Sequence, residues 1–161
     1  MRGILAAIAL ACAAFAGLTS AQAQQQAPPS DDGVAACVEH AGASLFGLQK
    51  CKGAQAGPCI ETDQGSTTAG SMMCWQAEGA AWRGLMEQAI ERARTGASSA
   101  RAQALADSQD RWLAWRAAEC QYQALIYEGG SLARVIGAYC VADLTADRAI
   151  AFIYAERNAD H

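Results

Sequence analysis

The sequence predicts an all-α fold, a small disulfide-stabilised bundle of about four to five helices, on three observations. The first is composition. Alanine is abundant, valine, isoleucine and threonine are few, and the only three prolines precede residue 60. That balance favours helix over sheet. The second is the tract from Trp112 to Cys140, in which W-L-A-W-R-A-A-E-C-Q-Y leads to Gly129-Gly130-Ser131 and then to Cys140. Two cysteines thus flank a reversal, as in an antiparallel helix-turn-helix over 99–141 whose second segment is stapled to its first. The third is the cysteine count, which depends on how the N-terminus is read.

Met1 and Arg2 form a short positive region, residues 4–18 an apolar run, and Ala21-Gln22-Ala23 a small-x-small cleavage site. Residues 1–23 therefore read as a secretory signal cut after Ala23, which places the mature chain in the periplasm or outside the cell. The run is too short and too alanine-rich for a stable membrane span. Lipidation at Cys12 is disfavoured by the few apolar residues that precede it. Cleavage leaves 138 residues, one domain by length, and reduces seven cysteines to six: Cys37, Cys51, Cys59, Cys74, Cys120 and Cys140. An even count in an exported chain predicts three disulfides, of which six cysteines allow about 15 sets. Local geometry favours Cys120 with Cys140 across the Gly-Gly turn. It favours Cys51 with Cys59 around Gly53, Gly57 and Pro58, and Cys37 with Cys74 between the first two helices.

Along the chain, residues 24–33 form a polar, proline-bearing leader and residues 34–157 the helical domain. Apolar or small residues at Cys37, Ala41, Leu45 and Leu48 predict a first helix over 34–49. Residues 51–65, with Gly, Pro and isolated charges, read as loop. Ser66, Thr67 and Thr68 offer caps for a second helix, whose stripe runs through Met72, Trp75, Gly79, Trp82, Met86 and Ile90 and fades near Thr95-Gly96. Ser98 or Ser99 caps a third over 99–127, roughly 40 Å long. It carries Leu105, Trp112, Trp115, Glu119, Cys120, Gln123 and Tyr127. Ser131 caps a short fourth helix through Tyr139, and Thr145 with Asp147 starts a fifth carrying Ala149, Ile150, Ile153 and Tyr154.

Chemistry-bearing constellations are sparse. Zinc lacks a C-x-x-C pair and would have only His40 and His161 as imidazole ligands. A serine triad would need one of the same histidines and has no nucleophile turn. Glu78 with Glu119 is the pair to nominate for glycoside cleavage, but carboxylates on helices are ordinarily solvated or ion-paired. No cofactor is indicated, and the chain reads as non-enzymatic. Trp112 and Trp115, three apart, read most plainly as core packing. Arg116 and Glu119 read as a surface ion pair. Alternatively, Glu119 is partly buried and hydrogen-bonds the backbone of the Gly129-Gly130 turn, making that turn rigid and cheap to bind.

The residues carry a resemblance. T-x4-M-C-x3-E-x3-W at Thr68, Met73, Cys74, Glu78 and Trp82, then Q-x2-W-x2-W-R-x2-E-C over 109–120, resembles the LprI-like lysozyme-inhibitor domain family. Gly129-Gly130-Ser131 and C-x3-L-T-x2-R-A over 140–149 are similar to that family's C-terminal half. The resemblance covers roughly residues 37–155. Arg83 and Met86-Glu87 depart from it, standing where members often carry an acidic residue and a Leu-Asn pair. It implies a small, all-helical, disulfide-stabilised envelope protein of a family named for a member that inhibits lysozyme, with Trp112, Arg116, Glu119, Thr145 and Arg148 as its motif residues.

Without its signal the chain keeps 11 basic against 16 acidic side chains, a formal charge of −5. That argues against nucleic acid and for a cationic partner, a lysozyme or another basic envelope protein. Nothing in the sequence sets an oligomeric state. To block a cleft something must project into it, and the candidate is the turn with Tyr127, Glu128, Gly129, Gly130 and Ser131. The plainer account of the two glycines is that a reversal between helices requires positive φ angles. The expected function is binding and occlusion of lysozyme-type muramidases. The alternative is an envelope interaction or structural protein that binds another protein or a cell-wall polymer without inhibition.

Overall fold

Three long helices, α4 (Thr68–Arg94), α5 (Ser99–Leu125) and α6 (Leu132–Arg157), carry three short ones, α1 (Asp32–Ala41), α2 (Leu45–Gln49) and α3 (Ala56–Ile60), on one side. This is a computed structural model that describes residues 32–159; the signal and its cleavage site, Cys12 and His161 lie outside the described residues. Among the described residues every regular element is a helix, so the all-α, disulfide-stabilised bundle is observed, with six helices where four to five are expected.

Hydroxyl caps set the starts of the first two long helices. Thr67 Oγ1 accepts the Gly70 N–H at 3.0 Å and Ser98 Oγ accepts that of Arg101 at 3.3 Å, each satisfying one of the four N–H groups a helix leaves unpaired. Helices α4 and α6 form the central pair and run parallel, with Gly79 beside Ala142 and Arg92 bonded to Glu156 at 2.6 Å. A Cβ added at Gly79 would lie 3.3 Å from the Ala142 Cα, so a glycine is what lets the two axes approach. The core lies alongside, where Trp82, Met86 and Ala89 of α4 meet Ala146, Ala149, Ile150 and Ile153 of α6 beneath Val34, Val38 and Leu48. Burying a side chain such as Ile150 contributes about 1.5–3 kcal/mol. Arg157 ties the far end down, donating to the carbonyls of Val38 and Gly42 at the end of α1.

The connection between α2 and α3 is pinned from below. Glu78, buried on α4, accepts the N–H groups of Gly53, Gln55 and Ala56 at 2.7, 3.1 and 2.8 Å and the Trp82 indole N–H at 3.3 Å. Beside it Lys52 reaches Asp143 at 2.7 Å and Asp147 at 2.9 Å on α6. Burial by itself would lower the Lys52 ammonium, and the two carboxylates outweigh it, so its pKa stands above the ordinary lysine value.

Several expectations are corrected. Helix 34–49 is two helices, broken at Gly42 with φ +56° and restarted by Ser44, whose hydroxyl accepts the Gly47 N–H; its first part begins at Asp32, inside the expected leader. The expected loop 51–65 contains α3, which tolerates Pro58 because the first turn of a helix has no N–H partner to lose there. The expected fourth and fifth helices are one. No glycine or proline interrupts 140–145, and Thr145, instead of capping, is fully buried and donates its hydroxyl to the Val141 carbonyl one turn back. Two disulfide pairings also change: the bridges are Cys37–Cys51, Cys59–Cys74 and Cys120–Cys140, not Cys51–Cys59 and Cys37–Cys74. Wrapping of residues 53–56 over Glu78 sends Cys51 into the core with Val34 and Leu48 and leaves Cys59 facing α4. Each loop closed spans 14 to 20 residues, and closing one that long contributes about 3 kcal/mol.

Candidate binding groove and hairpin tip

Helix α5 is the least buried of the long elements: of its 27 residues only Cys120 is fully enclosed. It is fastened to α6 at two levels. The lower one is a clamp built on Trp112. The guanidinium of Arg116 lies 5.0 Å from the centre of the Trp112 ring, and that of Arg148 lies 5.6 Å away. Arg148 also covers Phe152 at 4.9 Å and donates to Gln109 and Ser108, at 3.2 and 3.1 Å. Arg116 donates to the Thr145 hydroxyl at 2.6 Å. Burial holds the pKa of both arginines below its ordinary value, and Arg83 nearby lowers that of Arg116 further. Cation–π contacts of this kind contribute about 0.5–2 kcal/mol each, the more so when water is excluded.

The upper fastening is the Cys120–Cys140 bridge, with Cα atoms 5.4 Å apart. Above it the hairpin ends in a turn held by its own backbone: Tyr127, Glu128 and Gly130 donate to Ala124, Leu125 and Tyr127. Gly129 takes φ +80°, while Gly130 does not have a positive φ, so one glycine and not two serves the reversal. Ser131 occupies the cap position of α6 without a side-chain bond. Tyr127, Glu128, Gly129, Gly130 and Ser131 are all exposed. Around them Tyr122, Leu125, Ile126 and Leu132 are exposed by 64, 52, 63 and 46%, an unusual concentration of apolar surface at the end of a hairpin.

Between the two fastenings and α4 the helices part, opening a groove of roughly 700 Å³. Small side chains of α6 (Ala133, Gly137 and Ala138) make its floor, Trp75 of α4 and Ala117 and Ala124 of α5 its walls. Trp75 meets Tyr139 of α6 edge to face at 4.8 Å, which holds the groove's aromatic wall against α6.

A family model described as the lysozyme inhibitor LprI matches residues 59–151, more than half of the chain. The chain belongs to the LprI lysozyme inhibitor family. No curated protein and no solved structure matches it. The LprI segment takes in Glu78 itself, Trp112 with Arg116, Thr145 and Arg148, two of the three disulfides and the tip; it begins inside α3 and leaves out α1, α2, the amides of residues 53–56 that bond to Glu78 and the Cys37–Cys51 bridge.

Within the LprI motif, Trp112, Arg116, Thr145 and Arg148 come together in the clamp, where they join α5 to α6. Glu119 stands apart: it accepts a bond from Gln123 at 2.9 Å, and Arg116 turns from it to α6, so neither the ion pair nor the bond to the Gly129-Gly130 backbone forms. Trp112 packs on the core, but Trp115 is half exposed, so the two tryptophans do not share a buried face. Both oxygens of Glu78 are committed to backbone N–H groups, which leaves the Glu78 and Glu119 pair without a free carboxylate on one side. Sequence reasoning missed the groove. Its available signal was the succession of small residues at Ala117, Ala124, Ala133 and Gly137 between exposed aromatics.

Proposed function

We propose that this LprI-family chain is exported, with its signal removed after Ala23, and inhibits lysozyme-type muramidases without catalysing a reaction. In this reading residues 34–157 are the inhibitory domain, and the tip with Tyr127, Glu128, Gly129, Gly130 and Ser131 covers or enters the cleft of the target. The observation that carries it is the tip itself, where large apolar side chains stand exposed on a hairpin tied by a disulfide a few residues below. A loop held this way loses little freedom on binding, and exposed tyrosine and isoleucine are suited to anchor in a pocket. The acidic balance of the chain supports attraction to a basic enzyme. Three bridges and membership of the LprI family support export. Among the described residues no helix is long and apolar enough to cross a membrane.

Lysis of cell-wall suspensions by c-type, g-type and phage-type lysozymes, followed by turbidity with increasing mature protein, tests the proposal. At micromolar protein at least one lysozyme is slowed, and Ile126→Asp combined with Tyr127→Ala weakens that inhibition by about tenfold or more at unchanged helical content. Undiminished lysis by all three lysozymes refutes inhibition, and full potency of the double variant refutes the tip.

A further inference from the structure

The protein is acidic overall, yet the groove between α4, α5 and α6 is not. Its only ionisable lining residues are Arg83 and Arg134, and among the described residues no carboxylate lines it. Neither arginine is held in an ion pair with an acidic side chain, and both are exposed. They stand at opposite ends. With Gly79 level with Ala142, Arg83 lies one turn beyond that level and Arg134 two turns before it. The two are therefore roughly 18 Å apart along the helix axes. Between them the surface is apolar and finely stepped, with Gly137 and Ala138 below and Trp75 to one side. Helix α6 packs on both α4 and α5, while those two part at this end, so a further rod laid on α6 would complete a four-helix layer.

We infer that this groove docks an acidic amphipathic helix of a partner protein, its apolar stripe on the α6 floor and its carboxylates, about three turns apart, on Arg83 and Arg134. The small floor admits a helix backbone at close range, and the arginines choose the sign of the partner's charge and fix its register. This surface is separate from the tip, so it stands whether or not the protein inhibits lysozyme. A tip that engages a basic enzyme and a groove that engages an acidic helix select partners of opposite charge.

The test uses the mature full chain and two labelled synthetic peptides with the same leucine and alanine stripe. One bears glutamates about eleven positions apart, which three turns bring to one face, and the other bears lysines there. Anisotropy titration at low salt is expected to show the glutamate peptide binding at least about tenfold tighter than the lysine one. Arg83→Glu with Arg134→Glu, both at exposed positions, is expected to reverse that order. Ala138→Trp, which fills the floor, abolishes binding of either peptide, with the thermal midpoint of each variant confirming its fold. Equal binding of the two peptides, or a preference that survives the double charge reversal, overturns the proposal. So does binding of laurate that the peptides cannot displace, which would assign the groove to an amphiphile. Concentration-dependent dimerisation that Ala138→Trp abolishes, with no peptide bound, would assign it to a second copy.

Discussion

Glu78 is a carboxylate shut away from water that nonetheless has a partner for each oxygen, because three backbone N–H groups of residues 53–56 converge on it and the Trp82 indole adds a fourth donor. A charged acceptor forms hydrogen bonds worth about 1.5–3 kcal/mol, and each buried N–H left without one costs about 1–3 kcal/mol. The same side chain therefore both holds the connection between α2 and α3 and depends on it. Glu78→Gln turns one oxygen into an NH2 group that faces donors, and Glu78→Ala leaves the amides unpaired. Urea unfolding should show both variants less stable by about 3 kcal/mol or more, with Ala no better than Gln. A loss under about 0.5 kcal/mol, the range of ordinary surface substitutions, would mean that water replaces the carboxylate and the pin is unimportant. Its place in the E-x3-W motif is thus accounted for by architecture: Glu78 and Trp82, one turn apart, share a face, and the indole reaches the carboxylate.

At the scale of elements, what was legible in the sequence were the features settled within a few residues. Thr67 and Ser98 announce the starts of α4 and α5 through their hydroxyls, and Gly96 marks the break between them. The Cys120–Cys140 pairing could be read because its two ends flank one short turn. What could not be read depended on distant partners. Thr145 looks like a cap until Arg116 arrives from α5 to satisfy it inside a continuous α6. Cys51 and Cys59 look like a local pair until Glu78 draws the chain between them inward. The tip residues were legible as a turn from Gly129 and Gly130, whereas the groove was not, since its small residues Ala117, Ala124, Ala133 and Gly137 read equally as a close-packed helix seam. Helix α5 itself is packed tightly only at its clamp and its bridge, so its last turns rely on the Cys120–Cys140 bridge for their order. Replacing Cys120 and Cys140 together by serine should strip amide-exchange protection from residues 117–131 by about tenfold or more, while residues 82–89 and 146–153 keep theirs. Loss of protection spread evenly over all three long helices would show instead that α5 unfolds only with the core.

Considered whole, the molecule divides its labour along its length. The core of α4 and α6 with α1 and α2 occupies one end, and the groove and tip occupy the other, with α4 and α6 running through both and α5 fastened along them. Charge acts on a longer range than either surface. With 16 acidic side chains against 12 basic ones the chain has a formal charge of −4, and a basic lysozyme would be drawn to it over a distance set by the ionic atmosphere. Screening shortens that distance from about 20 Å in dilute buffer to about 8 Å at physiological salt. The proposed anchors at the tip, Ile126 and Tyr127, are uncharged and insensitive to salt once docked. If the tip is what binds, raising salt from about 20 mM to about 200 mM should slow association with a basic lysozyme several-fold and leave dissociation nearly unchanged. Surface-immobilised lysozyme with the mature chain in flow resolves the two rates. An effect carried by dissociation would place desolvated ion pairs at the heart of the complex and move the contact away from the apolar tip, since breaking such pairs acts on the bound state and not on the encounter.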